Sequence, residues 1–356
     1  MTVPFVADES AKSPAFSGER IQVIGAYAYP DSFEWHVTDS LPYLGCTVEL
    51  FHSRGGVKGW MGLGGRALEK LSHTVLREPE RLIEARLLRA VEEFSPTLIL
   101  VLLGNQISPK TIAAIRRISH VPIVCWCQDQ MTTLGRQFLF GSGYDAVFVK
   151  DRYMLDLFSR MIRSTAFHYL PEACNPRMHR PLDLTQRQRE EYGCDVMLAG
   201  TLYYYRQEIL SQLGEFDLKV WGTRPDWLLQ KMGGRFMGRY VHGDEKVFAT
   251  RAAKVCLNTL HYAEVDALNC RAFEIAGCGG FQLLTDVAVV REHFEPEVEV
   301  STFRSTDELL EKLIFFIGNP QVALDIAGRG RARAHREHTY EHRLTELLRI
   351  SLGRAG

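Results

Sequence analysis

Leu98 to Leu103 (LILVLL) is a run of six aliphatic residues with no polar residue among them, and it limits the folds open to this chain. It is far too short to cross a bilayer, and too uniformly apolar for a strand that shows one face to water. Such a run suits the centre of a parallel sheet covered by helices on both sides. Its surroundings agree. Glu78–Phe94 has helical periodicity before it, and Ser108–Ser119 follows as a helix with Ser108 as its cap and Pro109 in its first turn. Strands are predicted at Ile21–Gly25, Thr47–Phe51, Pro122–Trp126, Ala146–Lys150 and His168–Leu170, with helices at Ser32–Leu44 and Arg152–Ile162. This alternation over residues 21 to 170 describes one doubly wound α/β domain.

The pattern then restarts. Strands are predicted at Cys194–Ala199, Leu218–Trp221, Val255–Leu260, Phe281–Leu284 and Val298–Ser301. Helices are expected around Arg206–Leu213 and at Thr306–Ile317, and Pro320–Leu352 reads as mostly helical. A chain of 356 residues fits two domains of about 150 residues each. The division expected is a disordered leader over 1–19, a first domain over 20–175, a second over 176–335, and a helix over 336–356 packing back onto the first. Two such domains facing each other leave a ligand crevice at the carboxyl ends of their strands.

Charge and composition exclude several partners. A net charge of −1 and a pI near 6.9 lack the basic excess of a chain that tracks a phosphate backbone, so no nucleic acid is expected. No apolar run approaches the roughly 18–20 residues of a membrane span, and the first twenty residues lack the apolar core of a secretion signal. The eight cysteines form no CxxC pair, and several fall in predicted strands, so neither a metal centre nor a disulfide framework is expected. The chain reads as cytoplasmic. Arg54–Arg66 is rich in glycine, but it does not sit between a strand and a helix in the spacing of a dinucleotide fingerprint.

Two segments of the second half could handle a phosphorylated ligand. After the strand at Cys194–Ala199, Gly200 and Thr201 open the way to Tyr203-Tyr-Tyr-Arg206 at a helix start. Small residues there let backbone N–H groups approach phosphate oxygens, and Arg206 can add a charge-assisted pair. An ordinary strand–helix turn with a surface arginine reads the same way. The second segment runs from Asp266 through Asn269, Arg271 and Glu274 to Gly279 and Gly280. Glu274 could chelate the two hydroxyls of a ribose, with Asn269 and Arg271 facing a sugar and its phosphates. Alternatively Glu274 is a helix-start acid, and the glycine pair simply ends the helix. Tyr240 and His242 offer an aromatic face and a backbone edge for a nucleobase, or form a turn around a satisfied histidine.

In the first half, Asp31, Glu34 and His36 follow the first strand, and Asn105, Gln128 and Asp129 follow later ones. His36 and Asp129 are the candidate bases for a hydroxyl nucleophile. No divalent-metal DxD pattern is present at 126–129, so Arg206, Arg271 and helix dipoles would carry the charge of a leaving diphosphate, with no metal. The tail arginines Arg329, Arg331, Arg333, Arg336 and Arg343 could rest on an anionic membrane; interleaved Glu337, Glu341 and Glu346 favour a helix that locks the domains together.

The stretch LNCRAFEIAGCGGFQLLTD at Leu268–Asp286, with EHTYEHRL at Glu337–Leu344, resembles the CgeB-like (spore maturation protein type) glycosyltransferases. PTLILVL at 96–102, YDAVFVKDR at 144–152, YLPEACNPRMHRP at 169–181 and DVMLAGTLYYYRQEIL at 195–210 follow in the same order, so the resemblance spans nearly all of residues 20–350. It implies a GT-B fold: two facing Rossmann-like domains, with a nucleotide-sugar donor (a UDP- or GDP-sugar) on the second and a hydroxyl acceptor mostly on the first. It implies transfer in glycoconjugate or surface-polysaccharide synthesis, without a cofactor and with at most peripheral membrane contact. Glu274 matches the family's FE glutamate, expected on the donor ribose. Asp266 falls where many retaining relatives carry the first glutamate of an E-x7-E pair, so its role and the retention of anomeric configuration stay open. A nucleotide-sugar 2-epimerase and a non-catalytic sugar-nucleotide or glycan binder are the alternatives.

Overall fold

The computed structural model describes residues 15–26, 30–53, 79–102, 107–130, 138–223 and 235–354. The glycine-rich stretch at 54–66 and Asn105 lie outside the described residues.

The first half is a six-stranded parallel sheet in the order β2-β1-β3-β4-β5-β6. Its strands are β1 Arg20–Gly25, β2 Thr47–His52, β3 Leu98–Leu102, β4 Ile123–Cys127, β5 Ala146–Val149 and β6 Ala166–Tyr169. β3 is buried at every position, as its aliphatic run requires. Helices α1 (Phe33–Ser40), α2 (Pro79–Phe94), α3 (Pro109–Ile118) and α4 (Arg152–Met161) connect the strands. Ser108 caps α3 by accepting the Thr111 N–H at 3.3 Å. The single helix expected over 32–44 is instead α1 followed by a 3-10 turn at Leu41–Leu44, because Pro42 removes an N–H and Gly45 (φ 88°) ends the segment.

The second half is a five-stranded parallel sheet, β11-β10-β9-β7-β8. Its strands are β7 Cys194–Ala199, β8 Leu218–Trp221, β9 Ala253–Asn258, β10 Gln282–Thr285 and β11 Ser301–Phe303. Among its helices are α5 (Gln186–Tyr192), α6 (Tyr204–Ser211), α7 (Asp244–Ala252) and α8 (Cys270–Cys278). Then come α9 (Val290–His293), α10 (Thr306–Gly318), α11 (Pro320–Glu337) and α12 (Tyr340–Ser351). Two expectations shift. The strand expected at 298–301 begins only at Ser301, because Glu297 turns the chain at φ 64° and its N–H bonds to the Val300 carbonyl at 2.6 Å. The start of the second expected domain, where no helix was predicted, holds α5, begun by a reciprocal cap between Thr185 and Gln188.

The chain crosses between the halves twice, side by side. The Cys174 N–H donates to the His338 carbonyl at 2.9 Å, and the Tyr340 N–H donates to the Cys174 carbonyl at 3.0 Å. Beyond this crossing, α12 lies on the first sheet. Tyr340, Leu344, Leu347 and Leu348 share one core with Ile21, Leu98, Leu100 and Trp126. Phe16 joins the same core, 1% exposed, so the end of the segment expected as a disordered leader is packed; residues 1–14 lie outside the described residues. All eight cysteines are free thiols. Among the described residues no helix is long and apolar enough to cross a membrane.

Leu344→Ala should therefore cost about 2–5 kcal/mol, the usual loss for a fully buried leucine, read as a lower urea midpoint. An unchanged midpoint would mean that α12 does not dock on the first sheet.

Candidate functional site

In each sheet the strand order reverses beside one strand, and the crevice beyond the strand ends at that point is where α/β sheets receive ligands. In the second sheet the reversal lies between β7 and β9, since β8 lies on the far side of β7. The loop after β7 begins with Gly200, at φ 141°, and a side chain there would collide with the Arg271 guanidinium and lie 3.3 Å from Arg206 Nη1. Gly222, at φ 150°, lets β8 press against the Gly200 carbonyl, where a Cβ would also collide. The backbone at 200 is thus held open toward two guanidinium groups.

Those guanidiniums form no ion pair among the described residues. Arg206 is 2% exposed; its Nε donates to Thr259 Oγ1 at 2.8 Å, its Nη2 to the Thr259 carbonyl at 3.0 Å, and its Nη1 to the Thr201 carbonyl. Arg271 donates to Asn258 Oδ1 at 3.2 Å and to the Thr259 carbonyl at 3.4 Å. Burial and the neighbouring Arg271 charge push the Arg206 guanidinium down to about 9. Two cations side by side without a carboxylate form a centre that an anion stabilises.

Below this crevice lies a buried cluster shared by both halves. Asp31, after β1 and at φ 72°, accepts four hydrogen bonds. Its Oδ1 accepts from His36 Nε2 at 3.1 Å and His179 Nε2 at 3.0 Å; its Oδ2 accepts from the Gly243 N–H at 3.0 Å and Lys246 Nζ at 2.8 Å. His179 Nδ1 takes the Asn175 N–H at 2.9 Å, which fixes the proton on Nε2. Burial works to raise the Asp31 carboxyl, but the two histidines and the Lys246 charge overrule it and hold it well below the usual carboxylate range. Lys246 also reaches Glu274 Oε2 at 3.1 Å. Burial opposes its charge, yet the two carboxylates raise its affinity for a proton. Asp31, His36, His179 and Glu274 could hold a metal ion by position, since their ligand atoms lie within 4.8 Å of one another. The Lys246 ammonium already supplies a positive charge to both carboxylates.

The sequence candidates separate in this frame. Gly200, Tyr240, His242, Arg271, Glu274 and His36 line one cavity between the halves, together with Asp31, Lys246 and Glu172. Tyr240 is anchored through its hydroxyl to Thr201 Oγ1 at 3.0 Å and Thr223 Oγ1 at 3.1 Å, with its ring 5.6 Å from that of His242. Glu274 sits a full turn inside α8 rather than at its start. His36 stacks on Tyr340 at 4.9 Å, and burial drops its pKa to about 4, so the ring is neutral near pH 7. Its Nδ1 has no partner among the described residues.

The rest lie off the cavity. Arg206 is behind it, bracing the loops after β7 and β9. Asn269 caps α8 through the Ala272 N–H and exchanges hydrogen bonds with Asn258. Asp266 accepts the Val289 N–H at 2.8 Å, and Asp129 is exposed. Gly279 ends α8 at φ 73°, while Gly280 packs where a Cβ would meet Thr250. Sequence reading missed Lys246, which carries no motif signal, and gave no role to His179, which lies within the quoted 169–181 segment. It missed as well the ion pair of Lys150 after β5 with Glu264 at 2.7 Å and Glu172 at 3.4 Å.

Residues 206–349 match the model of a family described as glycosyl transferase-like. Among solved structures, sucrose-phosphate synthase from Thermosynechococcus elongatus superposes with a TM-score of 0.68 at 11% identity, covering 95% of this chain and 100% of that one. A glycosyltransferase from Rickettsia africae gives 0.64 at 10% identity, over 96% and 100%. HepE from Anabaena, solved with UDP-glucose, gives 0.63 at 14% identity, over 93% and 99%. No curated protein sequence matches the chain. The likeness to the solved structures extends over nearly the whole chain and shows its fold, the GT-B arrangement of two facing Rossmann-like domains.

Lys246→Met should leave two buried carboxylates facing each other and cost about 3–5 kcal/mol at neutral pH, as a drop in the urea midpoint. The deficit should shrink in acid, where protonation removes the repulsion. A midpoint that matches the parent at both pH values would contradict the assignment of this charge.

Proposed function

We propose that the chain is a glycosyltransferase that binds a nucleoside-diphosphate sugar at the switch point of its second sheet and transfers the sugar to a hydroxyl acceptor. One observation carries this reading: an open glycine backbone at Gly200 faces two guanidiniums that have no acidic partner among the described residues. A diphosphate matches that site in charge and in hydrogen-bonding geometry. The match of residues 206–349 to the glycosyl transferase-like family and the GT-B fold support the same reading, and HepE, of the same fold, was solved with UDP-glucose.

Each cavity residue then takes a role. Arg271 holds the diphosphate above the side-chain-free backbone of Gly200, whose own N–H is taken by the Trp221 carbonyl at 2.8 Å, while Arg206 fixes the loops beside it. Tyr240 and His242 flank the base. Glu274 gives Oε2 to Lys246 and keeps Oε1 for a ribose hydroxyl; His179 stands 3.9 Å from that oxygen, too far to bond it. The guanidiniums offset the charge of the leaving diphosphate without a metal ion. His36, with a pKa near 4, accepts a hydrogen bond from a sugar hydroxyl through Nδ1 and is a weak base at neutral pH. Glu172 lines the same cavity, and burial pushes it up to about 7, a value suited to proton transfer near neutrality. The quoted motifs make the CgeB-like glycosyltransferases the subgroup we favour. Asp266, turned to the Val289 N–H, takes no part in this scheme.

Calorimetric titration with UDP and GDP tests the donor site. Arg271→Ala should weaken the preferred nucleotide about ten- to a hundredfold, the worth of one charge-assisted contact. Equal affinity in the variant, or no binding of either nucleotide to the parent, would refute the assignment.

A further inference from the structure

Next to the guanidinium pair the chain exposes a group of aromatic rings that the donor site does not use. Tyr205 at the start of α6 is 46% exposed, and Tyr262 in the loop after β9 is 72% exposed. Their rings lie 6.1 Å apart at 81°. The series continues inward: His261 stands 4.1 Å from Tyr262, and Tyr203 stands 4.9 Å from His261. Tyr203 covers the Arg206 guanidinium at 4.6 Å. The aromatic group therefore starts at the loops that carry the proposed diphosphate site and runs outward from them.

The loop that presents Tyr262 is held in place. The His261 N–H donates to Glu264 Oε2 at 3.0 Å, and Glu264 Oε1 receives Lys150 from the first half at 2.7 Å. Two residues before His261, the Thr259 carbonyl takes hydrogen bonds from both arginines. The rings thus stand at the edge where the two halves meet, on backbone tied to each. Holding exposed aromatic rings in place before binding lowers the ordering cost of stacking a ligand on them.

We propose that Tyr205 and Tyr262 form an acceptor platform, and that the acceptor is a saccharide whose pyranose ring stacks on one of the two rings while the other, at 81° to it, lies against the sugar's rim. This rests on the donor assignment above. The rings lie outside the donor cavity's lining, on segments that flank it, and extend to the second half an acceptor surface that the resemblance put mostly on the first. A pyranose has an apolar face of polarised C–H bonds and a rim of hydroxyls. Tyrosine matches both, with a π face for the C–H groups and a phenol for the rim. A bilayer surface would call for a basic face beside its apolar anchors. Here Arg206 is buried, and Glu208 on the same helix is exposed.

Saturation-transfer NMR with UDP present tests this, using methyl glucoside, methyl galactoside, methyl mannoside and N-acetylglucosamine as probes. At least one sugar should receive saturation, strongest on the protons of one ring face. The signal should fall to background in Tyr205→Ala/Tyr262→Ala and persist in Tyr205→Phe/Tyr262→Phe. The UDP-induced rise in melting temperature should be the same in all three proteins, which shows that the variants fold and bind donor. Transfer to none of the probes, transfer that survives the double alanine variant, or tyrosine-dependent pelleting with phosphatidylglycerol vesicles would overturn the platform. Absence of a UDP-induced rise in the parent would count against the donor assignment instead, whatever the sugars do.

Discussion

Asp31 leaves the first strand of the N-terminal sheet, yet the four donors on its carboxylate come from three places along the chain. His36 lies in the helix that follows it, His179 beyond the first crossing, and Gly243 and Lys246 at the start of a helix in the other half. A buried carboxylate has to be hydrogen-bonded or paired, so this group fixes the halves relative to each other at the floor of the cleft. It also explains why a non-glycine residue keeps a left-handed backbone at φ 72°, since four donors repay the conformational cost. Glu274 joins the same network through Lys246, which links the α8 face of the cavity to the first strand of the other domain.

The charge along the cleft is separated in a way that suits the proposed reaction. The floor carries two carboxylates around one ammonium, with two neutral imidazole donors on Asp31. Above it, α6 and α8 open with two guanidiniums that form no ion pair among the described residues, the nearby Glu264 being held by Lys150. A nucleoside-diphosphate sugar has the complementary pattern, with an anionic centre between two hydroxyl-bearing rings. Lys150, Glu172 and Glu264 form a second bridge between the halves. Both bridges lie close to the paired crossings at Cys174 and His338, where movement of one domain over the other would be smallest.

Much of the architecture was legible in the sequence because parallel sheets buried on both faces leave continuous aliphatic runs. Leu98–Leu102 is such a run at every position, and Cys194–Ala199 is one interrupted only by Asp195. Boundaries moved where a single residue overrode the pattern, as with Pro42 inside the first helix and Glu297 before β11. The site was harder to read. Gly200, Arg271, Tyr240 and His242 follow strands or open helices, where sequence position alone points to the cleft; Glu274, a turn inside α8, was marked by its FE motif instead. Arg206 and Asn269 share that kind of position but spend their polar atoms on local backbone and on Asn258. Only tertiary geometry separates the two groups. Lys246 gave no signal, and His179, though inside the quoted 169–181 segment, gave none of its role, because the importance of each lies in a partner more than 140 residues away in the chain.

A crystal structure of the full chain with UDP bound tests the central claim most directly. The account predicts the diphosphate over the Gly200 backbone and against the Arg271 guanidinium, with the ribose against Glu274 and the Asp31–Lys246 pair intact beneath it. UDP seated on the N-terminal sheet, or bound in the cleft with Arg271 turned away from its phosphates, would contradict it.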